Sequence, residues 1–315
     1  MKKTTTLLLL LFCSLLQAQS TGDSGIISFA DKLLLRANIN TQSETFSIID
    51  NQERYTIEAL NSFRLQLAAN YKFIGFSIGF SPKSKNSDFK SKFFESQLQF
   101  FIKDKWIQSF KHSKIEGFYL ENVQTLDIEA QFPNLKSTSW TGQTAYIYNA
   151  DFSLKHLSHQ NEWQKYSAGS FIPSLKYGLN KISDFINNEK YIQNNFDITL
   201  APAYYYTWCL QDNWFVSSNI SPALGVRFSK DKTATSEVNQ TLFTKALSIG
   251  FQFGYTSRKI SAGATFNFNS NSINSSTTRE LTNDKNYANL YFAYRIDPPA
   301  FLEHTITKIS DKLGL

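Results

Sequence analysis

Cysteine is almost missing from this chain. Its 315 residues hold two, Cys13 and Cys209. Cys13 falls inside an N-terminal apolar run of the export type, so after removal of that run Cys209 stands alone and no intramolecular disulfide can form. Histidine is as sparse, with four residues, and no His, Cys and Asp share a metal-ligand spacing. No metal and no cofactor are therefore expected. Charged residues make up only 18% and form no basic block, so nucleic acid is not an implied partner. No phosphate-binding loop or dinucleotide fingerprint occurs; Gly250, Gly254 and Gly263 alternate within strand patterns. Beyond the first residues no apolar run approaches the roughly 18 residues of a spanning helix, which excludes a helical membrane protein.

What the chain has in plenty is aromatic side chains: 28 Phe and 15 Tyr, within an aromatic share of 15%. That is too aromatic for a disordered chain. Their placement is regular. Between Leu242 and Asn269, Leu247, Ile249, Phe251, Phe253 and Tyr255 alternate with Ala246, Ser248, Gly250, Gln252 and Gly254. After the turn Ser257-Arg258-Lys259 the alternation resumes, with Ile260, Ala262, Ala264, Phe266 and Phe268 against Ser261, Gly263, Thr265, Asn267 and Asn269. Period-two alternation across a tight turn predicts a β-hairpin with one apolar and one polar face. Each arm has the length of a strand that crosses a bilayer at a tilt, about nine to eleven residues.

The same alternation along the chain predicts twelve strands. The sixth is placed at Tyr146 to Leu154, after an irregular stretch from Leu120 to Gly142, and the polar stretch Ser158 to Glu162 is read as its turn. A bulge is expected in the fifth strand near His112, and bulges or kinks at Pro173, Pro202 and Pro222. Polar segments Lys83–Lys92, Asn180–Asn195, Ser229–Gln240 and Ser270–Asn286 are read as loops. Connectors then alternate long and short, as in bacterial outer-membrane barrels with short turns on the periplasmic side.

Alternation cannot by itself tell inside from outside. A secreted soluble β-barrel or sandwich would turn the apolar face inward. The apolar faces here are rich in Phe, Tyr and Trp, with Trp208 and Trp214 flanking a short turn where an interfacial girdle would lie, while the opposite faces collect Ser, Asn, Gly, Gln and charges suited to a wet lumen. In lipid such a sheet has to close on itself. The expected fold class is all-β: a closed antiparallel transmembrane β-barrel of twelve strands with a short C-terminal amphipathic helix.

Three stretches resemble a known family. Tyr71 to Pro82 (YKFIGFSIGFSP), Ser167-Ala168-Gly169-Ser170-Phe171, and Tyr294-Arg295-Ile296-Asp297-Pro298-Pro299 are similar to the uncharacterised outer-membrane family called domain of unknown function 4421, found in Gram-negative bacteria. The resemblance covers nearly all of the mature chain. It implies an outer-membrane barrel and adds no activity.

The domain plan is a signal peptide over 1–18 (Lys2 and Lys3, the apolar core Leu7 to Leu16, and cleavage after Ala18), an outer-membrane barrel over 19–299, and a periplasmic helical tail over 300–315, where Leu302, Ile306, Ile309 and Leu313 recur at helical spacing. By face parity the candidate lumen charges are Arg36, Arg64, Glu95, Asp151, Lys155, Lys176, Asp197, Arg227 and Arg295. Expected partners are outer-membrane lipid and a small polar solute in the lumen. The function expected is a narrow pore, a small-solute-binding barrel or a structural barrel, and not an enzyme. Two alternatives stand beside it. One is a membrane-embedded lipid hydrolase using His156 and Ser158, which as strand residues would share a lipid-facing side. The other is a soluble secreted binding protein.

Overall fold

The computed structural model describes residues 25–50, 53–59, 63–82, 91–122, 128–186, 189–210, 213–232, 236–276 and 279–313. The expected signal peptide lies outside them. In chain order the strands are β1 (Ile26–Ser28), β2 (Leu33–Asp50), β3 (Glu53–Glu58), β4 (Arg64–Tyr71), β5 (Ile74–Phe80), β6 (Lys92–Ile102), β7 (Trp106–Asn122), β8 (Ile128–Tyr146), β9 (Glu162–Gln164), β10 (Ala168–Ile186), β11 (Glu189–Cys209), β12 (Trp214–Lys232), β13 (Glu237–Thr256), β14 (Ile260–Ser276) and β15 (Arg279–Ile296). Among the described residues two helices, α1 (Leu154–Ser158) and α2 (Ala300–Leu313), accompany these strands.

Twelve strands form a closed antiparallel ring in the order β2-β4-β5-β6-β7-β8-β10-β11-β12-β13-β14-β15, sealed by β15 on β2 from Ile296↔Leu33 to Glu280↔Ile49. Closure gives every ring strand a paired neighbour on each side, the condition for crossing lipid. The apolar face points outward. Phe251 and Phe266, paired across β13 and β14, are 49% and 45% exposed, and Phe292 is 54% exposed. A soluble barrel would bury these rings, so the soluble alternative is overturned. At one end, the near end, aromatic rings gird the wall: Trp106 and Tyr146 have centroids 4.9 Å apart, Tyr146 and Tyr148 5.1 Å, and Trp214 and Phe253 5.1 Å.

The near end also carries tight turns. Lys103 and Asp104 both adopt positive φ, as does Lys72, the backbone hand that two-residue hairpin turns require. Pro298 and Pro299 stop β15, and α2 follows. Its Leu302 and Ile306 pack on Leu33, Tyr71 and Phe73, and Lys72 Nζ donates to Thr307 Oγ1 at 2.7 Å. Leu33 and Tyr71 share the outward parity of Leu35 and Leu67, so α2 lies on the outer wall and leaves the mouth uncovered.

The structure corrects several expectations. The segment read as irregular, 120–142, is largely strand β8, and the stretch read as the sixth strand leaves the wall after Tyr146. Most of the polar stretches read as loops are strand as well: β10 runs to Ile186, β12 to Lys232, β14 to Ser276. Beyond the bilayer both faces of a strand are wet, and alternation vanishes while pairing continues. Ser236 to Thr241, for example, are exposed on both faces. The bulge of β7 sits at Gly117, φ 91°, rather than near His112. Opposite Pro202 and Pro222 the β11–β12 ladder is interrupted, yet Leu200↔Leu224 and Tyr204↔Ile220 keep one register. Proline removes local ladder bonds there without inserting a residue. Finally, β3 pairs with both β2 and β7. The far rim therefore closes through β3, above the short strands β4, β5 and β6.

Candidate functional site

The connector from β8 to β10, residues 147–167, was expected to be a strand and a polar turn. It folds instead into α1 and β9. Ser153 caps α1 by accepting from His156 N at 2.9 Å, and β9 pairs with β1 from Ile26↔Gln164 to Ser28↔Glu162. Its partners lie all around the ring. Asn149 N donates to Ser170 Oγ of β10, 3.0 Å. Gln252 Nε2 of β13 donates to Leu157 O, 3.3 Å. Arg36 of β2 donates to Ser158 O at 2.5 Å and Gln160 Oε1 at 2.7 Å. Asn70 of β4 donates to His159 O at 3.0 Å, and Arg295 of β15 donates to Gln160 O. A segment this short can meet strands on every side only from within the barrel. Gly75 of β5 makes room for it, since a Cβ there would collide with the His159 ring and Asn70 Oδ1.

The insertion is packed like a small protein core. Phe152 and Leu157 are buried with Phe101, Ile107, Ala145, Ile172 and Phe215 of the inner wall. Each such fully buried side chain stabilises by about 1.5–3 kcal/mol. His156 stacks edge-on against Phe215 at 4.2 Å and His159 against Phe101 at 4.8 Å. Burial pushes His156 down to about 4. Burial, with the charges of Arg36 and Lys155, pushes His159 down to about 3. Both rings are neutral at pH 7.

Above this floor lies a cavity of ≈ 500 Å³. Of the nine expected lumen charges, Arg36, Glu95 and Lys176 line it. Glu95 is paired with Lys111 at 2.6 Å. Asp197 and Arg227 form a two-bonded ion pair, 2.6 and 2.8 Å, between β11 and β12. Arg64 is buried at the far end of β4, 3.7 Å over the Phe93 ring. Arg295 donates to Ser257 O at 2.6 Å and Ser261 Oγ at 3.0 Å, besides Gln160 O. Asp151 and Lys155 are not strand residues, because the sixth strand was misplaced. Asp151 sits in the turn before α1, and Lys155 lies on α1, bridged to Asp104 at 2.5 Å and Glu162 at 3.3 Å.

His156 and Ser158 do not form a dyad. On a helix, positions i and i+2 diverge. Ser158 Oγ donates to Leu154 O at 2.9 Å, while His156 Nδ1 meets Glu162 O at 3.2 Å. The pair faces the lumen rather than lipid. Sequence reasoning missed Lys111, which unbroken parity from Trp106 to Ile115 would have placed inside. It also missed the whole insertion, since a five-residue helix shows no period.

Residues 24–296 match the family model described as Domain of unknown function (DUF4421). No curated protein matches the chain. Similar solved structures include the translocator domain of the autotransporter NalP from Neisseria meningitidis, at 11% identity and TM-score 0.46 over 94% of this chain and 98% of that one. An outer membrane channel from Pseudomonas putida F1 is similar at 9% identity and TM-score 0.41, over 88% and 100%. The outer membrane protease OmpT from Escherichia coli is similar at 8% identity and TM-score 0.36, over 86% and 98%. At these identities and scores the likeness does not extend to activity.

Proposed function

The chain belongs to the DUF4421 family, whose description assigns no activity, and from its lumen we propose an outer-membrane barrel that is closed at rest and holds a small polar solute in a blind chamber. The export-type leader expected from the sequence and the outward aromatic girdle support the outer membrane as its location. The near end, with α2 and the tight turns, is then periplasmic, and the chamber faces outward from the cell. One observation carries the closed reading: the connector 147–167 is bonded to strands around the ring and packed into an apolar floor. In this state the lumen is no continuous pore.

Planar-bilayer recording tests it. The mature wild-type protein should be silent. A variant with residues 150–164 replaced by a flexible Gly-Ser linker should show stepwise conductance. Steady conductance of the wild type would sink the closed reading.

A further inference from the structure

We propose that the chamber binds a small hydroxylated anion, a carboxylate or phosphate carrying several hydroxyls, between Arg36 and Lys176. The inference deepens the blind-chamber reading and rests on it for its floor.

The charge inventory comes first. The ionised groups lining the chamber are Arg36, Lys111, Lys176 and Glu95. Lys111 and Glu95 neutralise one another at 2.6 Å. Arg36 spends its bonds on a neutral carbonyl and a neutral amide, and its Nε is buried with no partner. Lys176 has no ion pair or hydrogen bond among the described residues. Arg36 and Lys176 therefore face the chamber with no carboxylate bonded to either; Lys176 is exposed to the lumen, and Asp197, the nearest carboxylate on β11, is taken up by Arg227. Two like charges lining one concave chamber focus an attractive potential on anions.

Position comes second. Arg36 is on β2 and Lys176 on β10, half-way round the ring of twelve. They line the one chamber from opposite walls, with the proposed anion between them. The volume, ≈ 500 Å³, falls within the ordinary range of small-molecule sites, about 300–1,000 Å³.

The remaining lining supplies the hydroxyl preference. Arg36, Asn38 and Asn40 share one face of β2, and Asn289 lies in register with Asn40. Gln97, Gln99 and Asn267 add an amide surface to the chamber, and behind it the Oδ1 atoms of Asn38, Asn40 and Asn289 are buried with no protein donor. Amide acceptors beside a guanidinium suit a ligand that brings O–H donors along with its charge.

Titration calorimetry on the full mature protein in detergent tests this, with glucuronate and glucose 6-phosphate as anionic probes, glucose as the neutral probe and glucosamine as the cationic one. At least one anion should bind saturably, about tenfold or more tighter than glucose, and glucosamine should not bind. The two anions separate carboxylate from phosphate recognition. Lys176→Gln should weaken the anion about tenfold or more, and Lys176→Glu should invert the preference toward glucosamine. Lys181→Gln, an exposed position, should change nothing. Heat-modifiable gel mobility reports that each variant is folded. Equal affinity for glucose, no binding of either anion, or full anion binding by folded Lys176→Gln would overturn the proposal. A silent bilayer with no anion binding removes this inference alone; a conducting wild type removes the closed reading beneath it.

Discussion

Follow four strands from the near end inward and the inner wall changes character within two residues. On β6, Phe101 gives way to Gln99 and Gln97. On β7, Ile107 gives way to Ser109 and Lys111. On β10, Ile172 is followed by Ser174 and Lys176, and on β12, Phe215 by Ser217 and Asn219. The backbone is the same; the contents differ. Where the connector meets these four strands the wall is apolar, while β2, β4, β13 and β15 meet it with Arg36, Asn70, Gln252 and Arg295; around the chamber the wall is amide, hydroxyl and charge. A lumen is not polar by rule. On these four strands it is polar where it faces the chamber and apolar where it packs on the connector.

The sharpest way to break this contrast is to empty the floor. Phe152→Ala should cost the docked connector about 3–5 kcal/mol through transfer and cavity effects, read as hydrogen exchange and protease cleavage within 147–167 while the barrel stays resistant. If cleavage is unchanged, the floor is not held by packing. Next comes the outer surface against the inner one. Phe251→Arg puts a cation into lipid and should destabilise the barrel by about 2–4 kcal/mol. Asn267→Ala, on the chamber side, should leave urea unfolding in liposomes nearly unmoved. Equal effects would mean that the two faces are not in different solvents.

Acid should loosen the floor. His156 and His159 are held at about 4 and about 3 when docked, against an ordinary value of 6.5. Docking favours the neutral rings, so it is insensitive to pH above about 6.5 and weakens as pH falls from there toward 4 and 3. Conductance should appear on acidification, and His159→Gln should blunt its pH dependence. The smallest effect is expected at Asp197 and Arg227. That pair is partly exposed, and Asp197→Asn should cost about 1 kcal/mol or less in unfolding.

Much of the ring was legible. Register across β13 and β14 matches the hairpin read from alternation, with Phe251 facing Phe266, because each strand there has one face in lipid and one in water. The same signal misled where that condition lapsed. Tyr146, Tyr148, Ala150, Phe152 and Leu154 alternate, but they pass from the outer girdle into the inner core. The far parts of β10, β12 and β14 stay paired, yet their sequence carries no sustained apolar–polar period, and Asp184, Ser229 and Ile273 are buried there. Of the candidate charges, parity found Arg36, Glu95 and Lys176 beside the chamber, and it misplaced Asp151 and Lys155 by taking α1 for a strand. The three stretches that carry the family resemblance turn out to seat the insertion: Lys72 O accepts from Asn161 and Gly75 gives His159 room, Gly169 O accepts from Asn149, and Arg295 holds Gln160 O.

The order of apolar and polar residues was enough to determine a closed sheet with its rings outward, since hydration of alternate side chains is a local property of a strand. Which segment would turn inward, and where the lumen would be dry, was decided only when the ring closed. Most of those contacts join residues far apart in the chain, 89 positions for Asn70 and His159 and 122 for Arg36 and Ser158, and no local pattern encodes them.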